Sequence, residues 1–456
     1  MTSSKVTSAP LERVHVYQPG RRVGTLAGSR GGGGVSFTYD PAVLGEPTAA
    51  VSARLPVRAA PYAEHDTVAC FENLLPDGDL RNLLAVGVKL SAEDVVGLLG
   101  VFGGECAGAL SFWPEGTDPP DTPTYRPCTA ADVHAAFAPA TLVTAATFAA
   151  TAIRADAAEG MVSPGLTRLL TAARLSMSGA QEKLALYRMP PIGNAPNGSS
   201  PEYLLPVNGA PSTVMVKRER ARFPGLLQNE LACMTMMAAA GVPTAAHTVC
   251  ALDAGAYETA RFDRLVSADG TVTRAYAEDG CQLTGKRPGA KYAQTGGPSY
   301  AELVAALRRY TAEPGKDAVL LFRWAVANLA LGNRDAHAKN VSLVGEVPTV
   351  LQLAPAYDVI CTMAYAELDT ALPLVFGGAL QLTALHPSAL AKAARAFGLT
   401  SRLAHELVAD VCDRLDAARD DALQTATRVA GPHDVLNAVD VVVQAMTAET
   451  RTRLLG

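Results

Sequence analysis

The segment LGNRDAHAKN runs from Leu331 to Asn340, between an apolar helical pattern and the strand-like VSLVG. Within it, Asp335 lies five residues before Asn340. This pairing suits phosphoryl transfer, because a carboxylate can accept or orient a hydroxyl proton while an amide oxygen holds a metal ion against phosphates. A helix C-cap followed by a polar turn gives the same letters, so the spacing alone leaves both interpretations open.

A second carboxylate follows in LAPAYDVI, Leu353 to Ile360, at the end of a hairpin predicted to begin at Val341. Asp358 lies there between apolar residues, and a buried carboxylate is costly unless it is paired or bound to a metal. It therefore fits the metal-holding role of the Asp in the DFG tripeptide of kinases, although the tripeptide here is Tyr-Asp-Val. Capping of a nearby helix is the alternative.

Upstream segments contain candidate phosphate-binding residues. Ser176 to Lys183, SMSGAQEK, precedes the strand-like LALYR, and its small residues let backbone N–H groups approach phosphate oxygens. Lys217 ends the strand-like TVMV, and Glu230 lies in the helix that follows. This order matches the Lys–Glu pair that fixes ATP in a kinase small lobe. The alternatives are a hairpin turn for the first segment and surface charges for the second.

Periodicity along the chain divides it into four parts. Alternating runs and one helical stretch predict an N-terminal α+β subdomain over residues 1–117, followed by a proline-rich linker and helical segment over 118–166. Strand, strand and helix predict a kinase-like small lobe over 167–310, and apolar residues at helical spacing predict a large lobe over 311–456. The expected fold class is α+β with two lobes, a mixed α/β N-terminal lobe and an all-helical C-terminal lobe.

Composition limits the class of protein. A chain of 456 residues that is 49% hydrophobic and 18% charged should form a globular, multidomain enzyme. Its net charge of -5 gives no bulk attraction to nucleic acid. The eight cysteines lack metal-ligand spacing, so buried free thiols are expected. Because there is no signal-like apolar region or membrane-length apolar run, we expect a cytoplasmic protein without membrane contact.

Two further motifs have less specific patterns. Gly280 to Lys286 fits the first seven positions of a P-loop, but Arg287 replaces the magnesium-binding hydroxyl and Pro288 opposes the helix that should follow. We therefore reject a P-loop there. His337 lies within the loop of Asp335, where a lone histidine is more often a structural hydrogen-bonding group than a base, so we predict a scaffolding role for it.

Together, SGAQEK, the Lys217 strand, GNRDAHAKN and LAPAYDV resemble the HipA family of serine/threonine kinases, toxins of bacterial toxin–antitoxin modules, over nearly the whole chain. FENLLPDGDLR (Phe71 to Arg81) and GGPS (Gly296 to Ser299) resemble further family signatures. The resemblance implies ATP and Mg²⁺ as cofactors.

Site roles follow from the same resemblance. It implies that Asp335 is the catalytic base or orienting carboxylate, that Asn340 and Asp358 hold magnesium, and that Glu230 and His337 support them. The residues implied to contact ATP lie in the phosphate loop, on adjoining strands and at the hinge: Ser178, Gly179, Ala180, Gln181, Lys183, Lys217 and Phe262.

Regulation is also implied by the resemblance. Ser176 matches the serine that HipA kinases autophosphorylate, which displaces the phosphate loop and switches the enzyme off, and Ser178 is the alternative phosphosite. Two positions depart from the family pattern. Arg218 stands where relatives often have proline, and Ala260 stands where a hinge glutamate is frequent, although Phe262 still matches the aromatic residue that contacts adenine.

The resemblance implies an ATP-dependent serine/threonine protein kinase that modifies a translation-related protein, an aminoacyl-tRNA synthetase in family terms. A HipB-like helix-turn-helix antitoxin is the expected partner, and DNA would be contacted only through it. A non-catalytic binding partner in a toxin–antitoxin DNA repressor complex is the alternative. A small-molecule phosphotransferase on a related fold is a third possibility.

Overall fold

The described part of the chain contains an N-terminal domain followed by two lobes. The computed structural model describes residues 13–28, 34–137, 183–192, 200–219, 222–365 and 371–456. The predicted phosphate-loop residues from Ser176 to Gln181 lie outside these ranges. The α+β, two-lobed architecture is confirmed, and all eight cysteines are buried free thiols, as predicted. Among the helices in these ranges, none is both long and apolar enough to cross a bilayer.

The N-terminal domain consists of one antiparallel sheet and three helices. Its strands are β1 (Arg13–Gln18), β2 (Arg21–Gly28), β3 (Val35–Tyr39) and β4 (Ser111–Pro114), hydrogen-bonded in the order β3-β2-β1-β4. Its helices are α1 (Glu64–Glu72), α2 (Gly78–Gly87) and α3 (Val95–Phe102). Alternation in the strands directs apolar side chains to one face, where Phe71 of α1 contacts Phe37 and Phe112 at 5.4 and 5.8 Å between ring centroids. The domain therefore has an apolar core of its own.

Six strands form the small-lobe sheet. They are β5 (Thr124–Pro127), β6 (Lys183–Met189), β7 (Glu202–Val207), β8 (Val214–Arg218), β9 (His247–Cys250) and β10 (Asp253–Ala260), in the order β5-β7-β6-β8-β10-β9. The predicted strands β6 and β8 are antiparallel neighbours, with Lys183 opposite Lys217. The predicted helix after β8, α5, spans Leu226–Ala239, and the chain leaves it through Gly241 at a φ of +81°. Helix α4 (Ala130–Ala136) begins at a capping box formed by Thr129 and Asp132.

Four strands of the small-lobe sheet were not predicted: β5, β7, β9 and β10. β7 lies in a segment rich in turn residues, and Pro206 within it lacks a backbone donor, so its sequence does not resemble a strand. β5 lies at the end of the proline-rich segment that we interpreted as a linker. It pairs only with β7, and such an edge position tolerates prolines.

The large lobe packs helices around a long apolar core. A short hairpin of β11 (Arg264–Val266) and β12 (Val272–Arg274) precedes it. Its helices are α6 (Gly280–Thr284), α7 (Tyr300–Tyr310), α8 (Pro314–Ala330), α9 (Pro387–Phe397), α10 (Ser401–Ala430) and α11 (Val435–Leu455). The GGPS segment ends at Ser299, which caps α7. Helix α5 of the small lobe packs against α10, so one apolar core joins both lobes.

A small sheet beside these helices carries the loops of the cleft. Its strands are β13 (Tyr276–Asp279), β14 (Ser342–Val347) and β15 (Val350–Leu353), in the order β13-β14-β15. β14 and β15 form the predicted hairpin. The Asp335 loop leads into β14 and the Asp358 segment follows β15, so both lie at the open end of this hairpin.

Buried charges join the N-terminal domain to the small lobe. Glu105, which follows α3 and is 3% exposed, lies 2.8, 3.1 and 2.7 Å from Arg261, Arg264 and Arg274. Asp263 pairs with the first two arginines and accepts a hydrogen bond from Gly108 N at 2.7 Å. Burial would raise the pKa of Glu105, but the three arginines outweigh it and lower that pKa to about 2. The ARFDR segment is therefore an attachment point for the N-terminal domain.

The Glu105→Gln substitution should lower the free energy of unfolding at neutral pH by about 3–5 kcal/mol, since it leaves buried arginines without their shared anion. The folded-state pKa of about 2 lies below the ordinary value of 4.5, so the contribution of Glu105 is complete above pH 4.5 and is lost as the pH falls towards 2. In guanidinium unfolding, the free energies of unfolding of wild type and variant should converge as the pH falls from 4.5 towards 2. Glu115→Gln, at an exposed ion pair with Arg13, is the control, and equal losses in the two variants would contradict the assignment.

Candidate active site

The side chain of Lys217 lies at the centre of the cleft between the lobes. Its Nζ is 2.6 Å from Glu230 Oε1 on α5 and 2.6 Å from Asp358 Oδ1 in the segment after β15. The side chains of Lys217 and Glu230 are 4% and 1% exposed, whereas Asp358 is 22% exposed and lines the cleft. Lys183 on β6 lies 3.8 Å from Asp358 Oδ2. The structure therefore brings together four of the residues selected from the sequence.

Charges in this cluster shift one another's pKa values. Burial would raise the pKa of Asp358, but the ammonium groups of Lys217 and Lys183 hold it well below its usual range. Glu230 shares Lys217 with Asp358, so burial dominates there and raises its pKa to about 7. Burial opposes the charge on Lys217, yet the two carboxylates keep its pKa above the ordinary value. Lys217 is thus a fixed cation, and Asp358 is the more strongly ionised of its two partners.

The backbone around Asp358 is held from both sides. Asp358 has a φ of +58°, in the left-handed region that residues other than glycine rarely adopt. On one side, the Tyr357 hydroxyl donates to Lys339 O at 2.6 Å. On the other, Asn229 of α5 donates to Cys361 O at 3.0 Å and accepts from Cys361 N at 2.8 Å. These bonds fix the carboxylate in the cleft, and no sequence motif indicated Asn229.

The loop after α8 presents Asp335 to the cleft. Gly332 ends the helix with a φ of +66°, and a Cβ there would lie 2.8 Å from a methyl carbon of Val442. Asp335 N donates to Asn333 Oδ1, and Asn340 Nδ2 donates to Asp335 O, each at 2.9 Å. The five-residue spacing thus closes the loop, while the side chain of Asp335 stays 36% exposed.

Two aromatic side chains flank Asp335. His337 is 2% exposed, its Nε2 lies 3.9 Å from Asp335 Oδ1, and burial lowers its pKa to about 3. It is a neutral ring within the loop, which agrees with a scaffolding role. The Tyr292 hydroxyl donates to Asp335 Oδ1, and its ring meets His337 edge-on at 5.1 Å. Burial raises the pKa of Asp335, and the Tyr292 hydrogen bond opposes that rise. Sequence reasoning missed Tyr292, although it lies close to the GGPS signature.

A pocket opens beside Lys217 and Asp358. Phe262 and Tyr357 stack in it with ring centroids 5.1 Å apart and planes 27° apart. The remaining lining includes residues of the small lobe and of the N-terminal domain: Asn73, Ala107, Lys183, Met215, Thr259 and Ala260. The pocket joins an apolar, aromatic end to an end that contains the ammonium groups of Lys183 and Lys217, which suits the base and phosphates of a purine nucleotide. Phe262 therefore lies at the aromatic end of this pocket.

Asn340 and Asp358 could hold a metal ion that arrives with phosphates. Because the Asn340 amide nitrogen is used by Asp335 O, its Oδ1 is the atom available to a metal. In the described ranges no three His, Cys, Asp or Glu side chains form a metal-binding group. Mg²⁺ is commonly bound by only one or two protein carboxylates together with substrate phosphates and water, so these two residues fit it.

The P-loop-like segment forms a short helix that packs against the Asp335 loop. Gly280 begins α6, which is capped by Asp279 and ends at Gly285. A Cβ on Gly280 would lie 2.6 Å from Ala338 O, so this glycine allows α6 to approach the Asp335 loop. Lys286 lies 3.6 Å from Glu302.

Family models match two parts of the chain. Residues 14–113 match the HipA N-terminal domain, and residues 175–419, more than half of the chain, match the HipA-like C-terminal domain. The chain belongs to the HipA family. The resemblance inferred from the motifs is thereby confirmed.

Individual HipA relatives agree with this result. Protein Y4mE of Sinorhizobium fredii, a kinase by its assigned name, is 31% identical over 405 residues, 88% of this chain and 89% of that protein. The serine/threonine-protein kinase toxin HipA of Shewanella oneidensis is 26% identical over 348 residues, 73% of this chain and 71% of that one. The protein is therefore a kinase-like member of the HipA family.

A solved structure shows the shared fold. This chain superposes on a chain of the solved complex of Shewanella oneidensis HipA, HipB and operator DNA with a TM-score of 0.72 and 21% sequence identity. The match covers 96% of this chain and 99% of that chain.

The Asn229→Ala substitution should lower the free energy of unfolding by about 2–4 kcal/mol, because it removes two buried hydrogen bonds and takes from the Cys361 N–H its side-chain acceptor, while the Cys361 C=O keeps Ala364 N at 3.3 Å. Urea unfolding followed by circular dichroism measures the change. Asn437→Ala, at an exposed position of α11, is the matched control and should change stability by less than about 0.5 kcal/mol. A similar small change in both variants would show that the Cys361 anchor is dispensable.

Proposed function

We propose that the protein is an ATP- and Mg²⁺-dependent serine/threonine protein kinase and the toxin of a type II toxin–antitoxin system. The observation that carries the proposal is the buried Lys217 ammonium shared by Glu230 and Asp358, with the accessible carboxylate of Asp335 in the adjoining loop. A purely structural ion pair does not need a second carboxylate that opens onto a nucleotide-shaped pocket.

Lys217 and Phe262 would bind the nucleotide. Lys217, held by Glu230, donates hydrogen bonds to phosphate oxygens of ATP, and Phe262 covers the adenine ring in the aromatic end of the pocket. Lys183 and the predicted loop from Ser178 to Gln181 complete the phosphate contacts.

Asp335 would act on the protein substrate. It orients the serine hydroxyl and accepts its proton as the oxygen bonds to the γ-phosphorus and ADP leaves with the electrons of the broken P–O bond. Asn340 and Asp358 keep their oxygens at the phosphate end of the cleft, where magnesium, when bound, would neutralise charge on the phosphates. The hydrogen bond from Asn340 Nδ2 to Asp335 O, at 2.9 Å, holds these two residues in fixed relative positions.

Regulation and partners form the finer part of the proposal. Ser176, or alternatively Ser178, would be autophosphorylated, and the protein target would be a translation-related protein, an aminoacyl-tRNA synthetase for preference. A HipB-like helix-turn-helix antitoxin would bind the chain in the cytoplasm, and DNA would be contacted only through it. Two findings support this: the fold matches a HipA solved with HipB and operator DNA, and a net charge of -5 does not favour direct DNA binding.

Purified wild type, incubated with Mg²⁺ and γ-labelled ATP, should label itself and a protein in cell extract. Asp335→Asn keeps the shape and the acceptor for Tyr292 but loses the proton-accepting carboxylate, so labelling should fall by roughly 10²–10⁴-fold. Asp421→Asn, at an exposed position of α10, makes the same chemical change away from the cleft and should label as wild type does. Scintillation counting of the separated proteins provides the measurement.

The location of the label separates the competing functions. Phosphoserine at Ser176 or Ser178, found by mass spectrometry, supports self-inactivation, and label only at other positions overturns that part. Wild type that binds an antitoxin but transfers no phosphate would favour the non-catalytic repressor function. Transfer to a small molecule alone would favour a metabolite phosphotransferase.

A further inference from the structure

The segment Phe71 to Arg81 of the N-terminal domain packs against the catalytic loop. Lys339 of that loop donates from Nζ to Asn73 O at 3.0 Å and to Asn73 Oδ1 at 3.1 Å. Asp77 Oδ1 lies 3.8 Å from Lys339 Nζ, and Asp77 Oδ2 lies 3.2 Å from Lys291 Nζ. One carboxylate of the N-terminal domain is thus placed between two lysines of the kinase-like domain.

The first lysine leads to the candidate metal ligand. Lys339 is 2% exposed at its side chain and immediately precedes Asn340 in the short 3₁₀ turn Ala338–Asn340. Because neighbouring Cα atoms are linked by a rigid peptide, a shift of Lys339 displaces Asn340. The anchored ammonium therefore limits where the amide of Asn340 can lie.

The second lysine leads to the candidate base. Lys291 immediately precedes Tyr292, whose hydroxyl donates to Asp335 Oδ1. The two arms also contact each other, because Ala338 N donates to Lys291 O at 3.1 Å. Asp77 therefore contacts the two lysines that directly precede Asn340 and Tyr292, and Tyr292 in turn contacts Asp335.

Attachment of the domain does not require Asp77. The Glu105 cluster already holds the N-terminal domain, and Glu278 of β13 accepts hydrogen bonds from Ser52 Oγ at 3.0 Å and Ala53 N at 2.6 Å. Lys339 Nζ also lies 3.5 Å from Asp279 Oδ2, and this contact does not involve Asp77. The fold can therefore survive loss of the Asp77 charge. Lys339 then keeps Asn73 and Asp279, whereas Lys291 loses its carboxylate partner, so the link that Asp77 makes between the two lysines is lost.

We propose that Asp77 is a positioning residue of the phosphoryl-transfer centre, contributed by the N-terminal domain, that holds Lys339 and Lys291 so that Asn340 and Asp335 keep their relative places. This inference rests on the proposed kinase function for its catalytic consequence. Its structural part, the ordering of two loop segments by a carboxylate of another domain, stands on the contacts alone.

Hydrogen exchange of the protein without ATP or Mg²⁺ tests the structural part. Asp77→Asn should speed exchange in peptides that cover Asp335 to Val341 and Lys291 to Gly297. In the first peptide the amides of His337 and Asn340 are hydrogen-bonded within the loop, and in the second the amide of Gly297 donates to Tyr292 O. Exchange in α10 and in the β1–β4 sheet should stay at the wild-type rate. Asp121→Asn, exposed in the N-terminal part of the chain, is the matched control and should alter neither segment.

Labelling kinetics test the catalytic part. Asp77→Asn should lower kcat about 10-fold and raise the Mg²⁺ concentration for half-maximal labelling about 10-fold, with the KM for ATP changed less than either. Tyr292→Phe should lower kcat and leave the Mg²⁺ requirement unchanged, because it acts on Asp335 alone. Lys339→Met should change the Mg²⁺ requirement most.

Each outcome decides a different claim. Wild-type exchange, kcat and Mg²⁺ requirement in a folded Asp77→Asn protein would overturn the inference while the kinase function stands. Uniformly faster exchange, with an unchanged Mg²⁺ requirement, would reduce Asp77 to a stability role. If wild type itself transfers no phosphate, the proposed function fails, and local exchange still decides whether Asp77 orders the loop.

Discussion

The rest of the cleft depends on one interaction, the pairing of the buried Lys217 ammonium with two carboxylates. Burying a cation is costly unless anions accompany it, and here the two anions come from different parts of the chain, Glu230 on α5 and Asp358 beyond β15. All three elements must therefore be in place before the Lys217 ammonium has both of its carboxylate partners. The strained backbone of Asp358, held by Asn229 and Tyr357, belongs to the same arrangement. The buried core and the site therefore share these residues.

The N-terminal domain extends this constraint. Buried charges cross its boundary at Glu105, at Ser52 and Ala53, and at Asn73 and Asp77. Asn73 and Ala107 also line the pocket beside Lys217. An independent module attached by a linker would leave such a boundary polar and solvated. The domain is better understood as a third wall of the cleft, which explains why a motif as far upstream as FENLLPDGDLR contacts the Asp335 loop.

The sequence predicted most of the elements and part of the site, for identifiable reasons. Helices such as α8 and α10 were predictable because apolar residues recur at helical spacing, and β6 and β8 because short apolar runs end in charged residues. β7 was missed because Pro206 and its turn-rich surroundings hide the alternation. Asp335, Asn340 and Asp358 could be selected as candidates because the chemistry proposed for them depends on residue type and local spacing. Asn229, Tyr292 and Asp77 act through contacts between distant segments, up to 266 residues apart in the case of Asn73 and Lys339, and no local pattern encodes those.

Calorimetric titration of ATP, with and without Mg²⁺, into wild type and Lys217→Met tests the central claim most directly. The account predicts that Mg²⁺ tightens ATP binding to wild type, because magnesium neutralises charge that Lys217 alone cannot. It predicts that a folded Lys217→Met protein, with its fold verified by circular dichroism, binds Mg-ATP at least about 10-fold more weakly. Wild-type affinity for Mg-ATP in that variant would contradict the assignment of Lys217 as the organising cation of a nucleotide site.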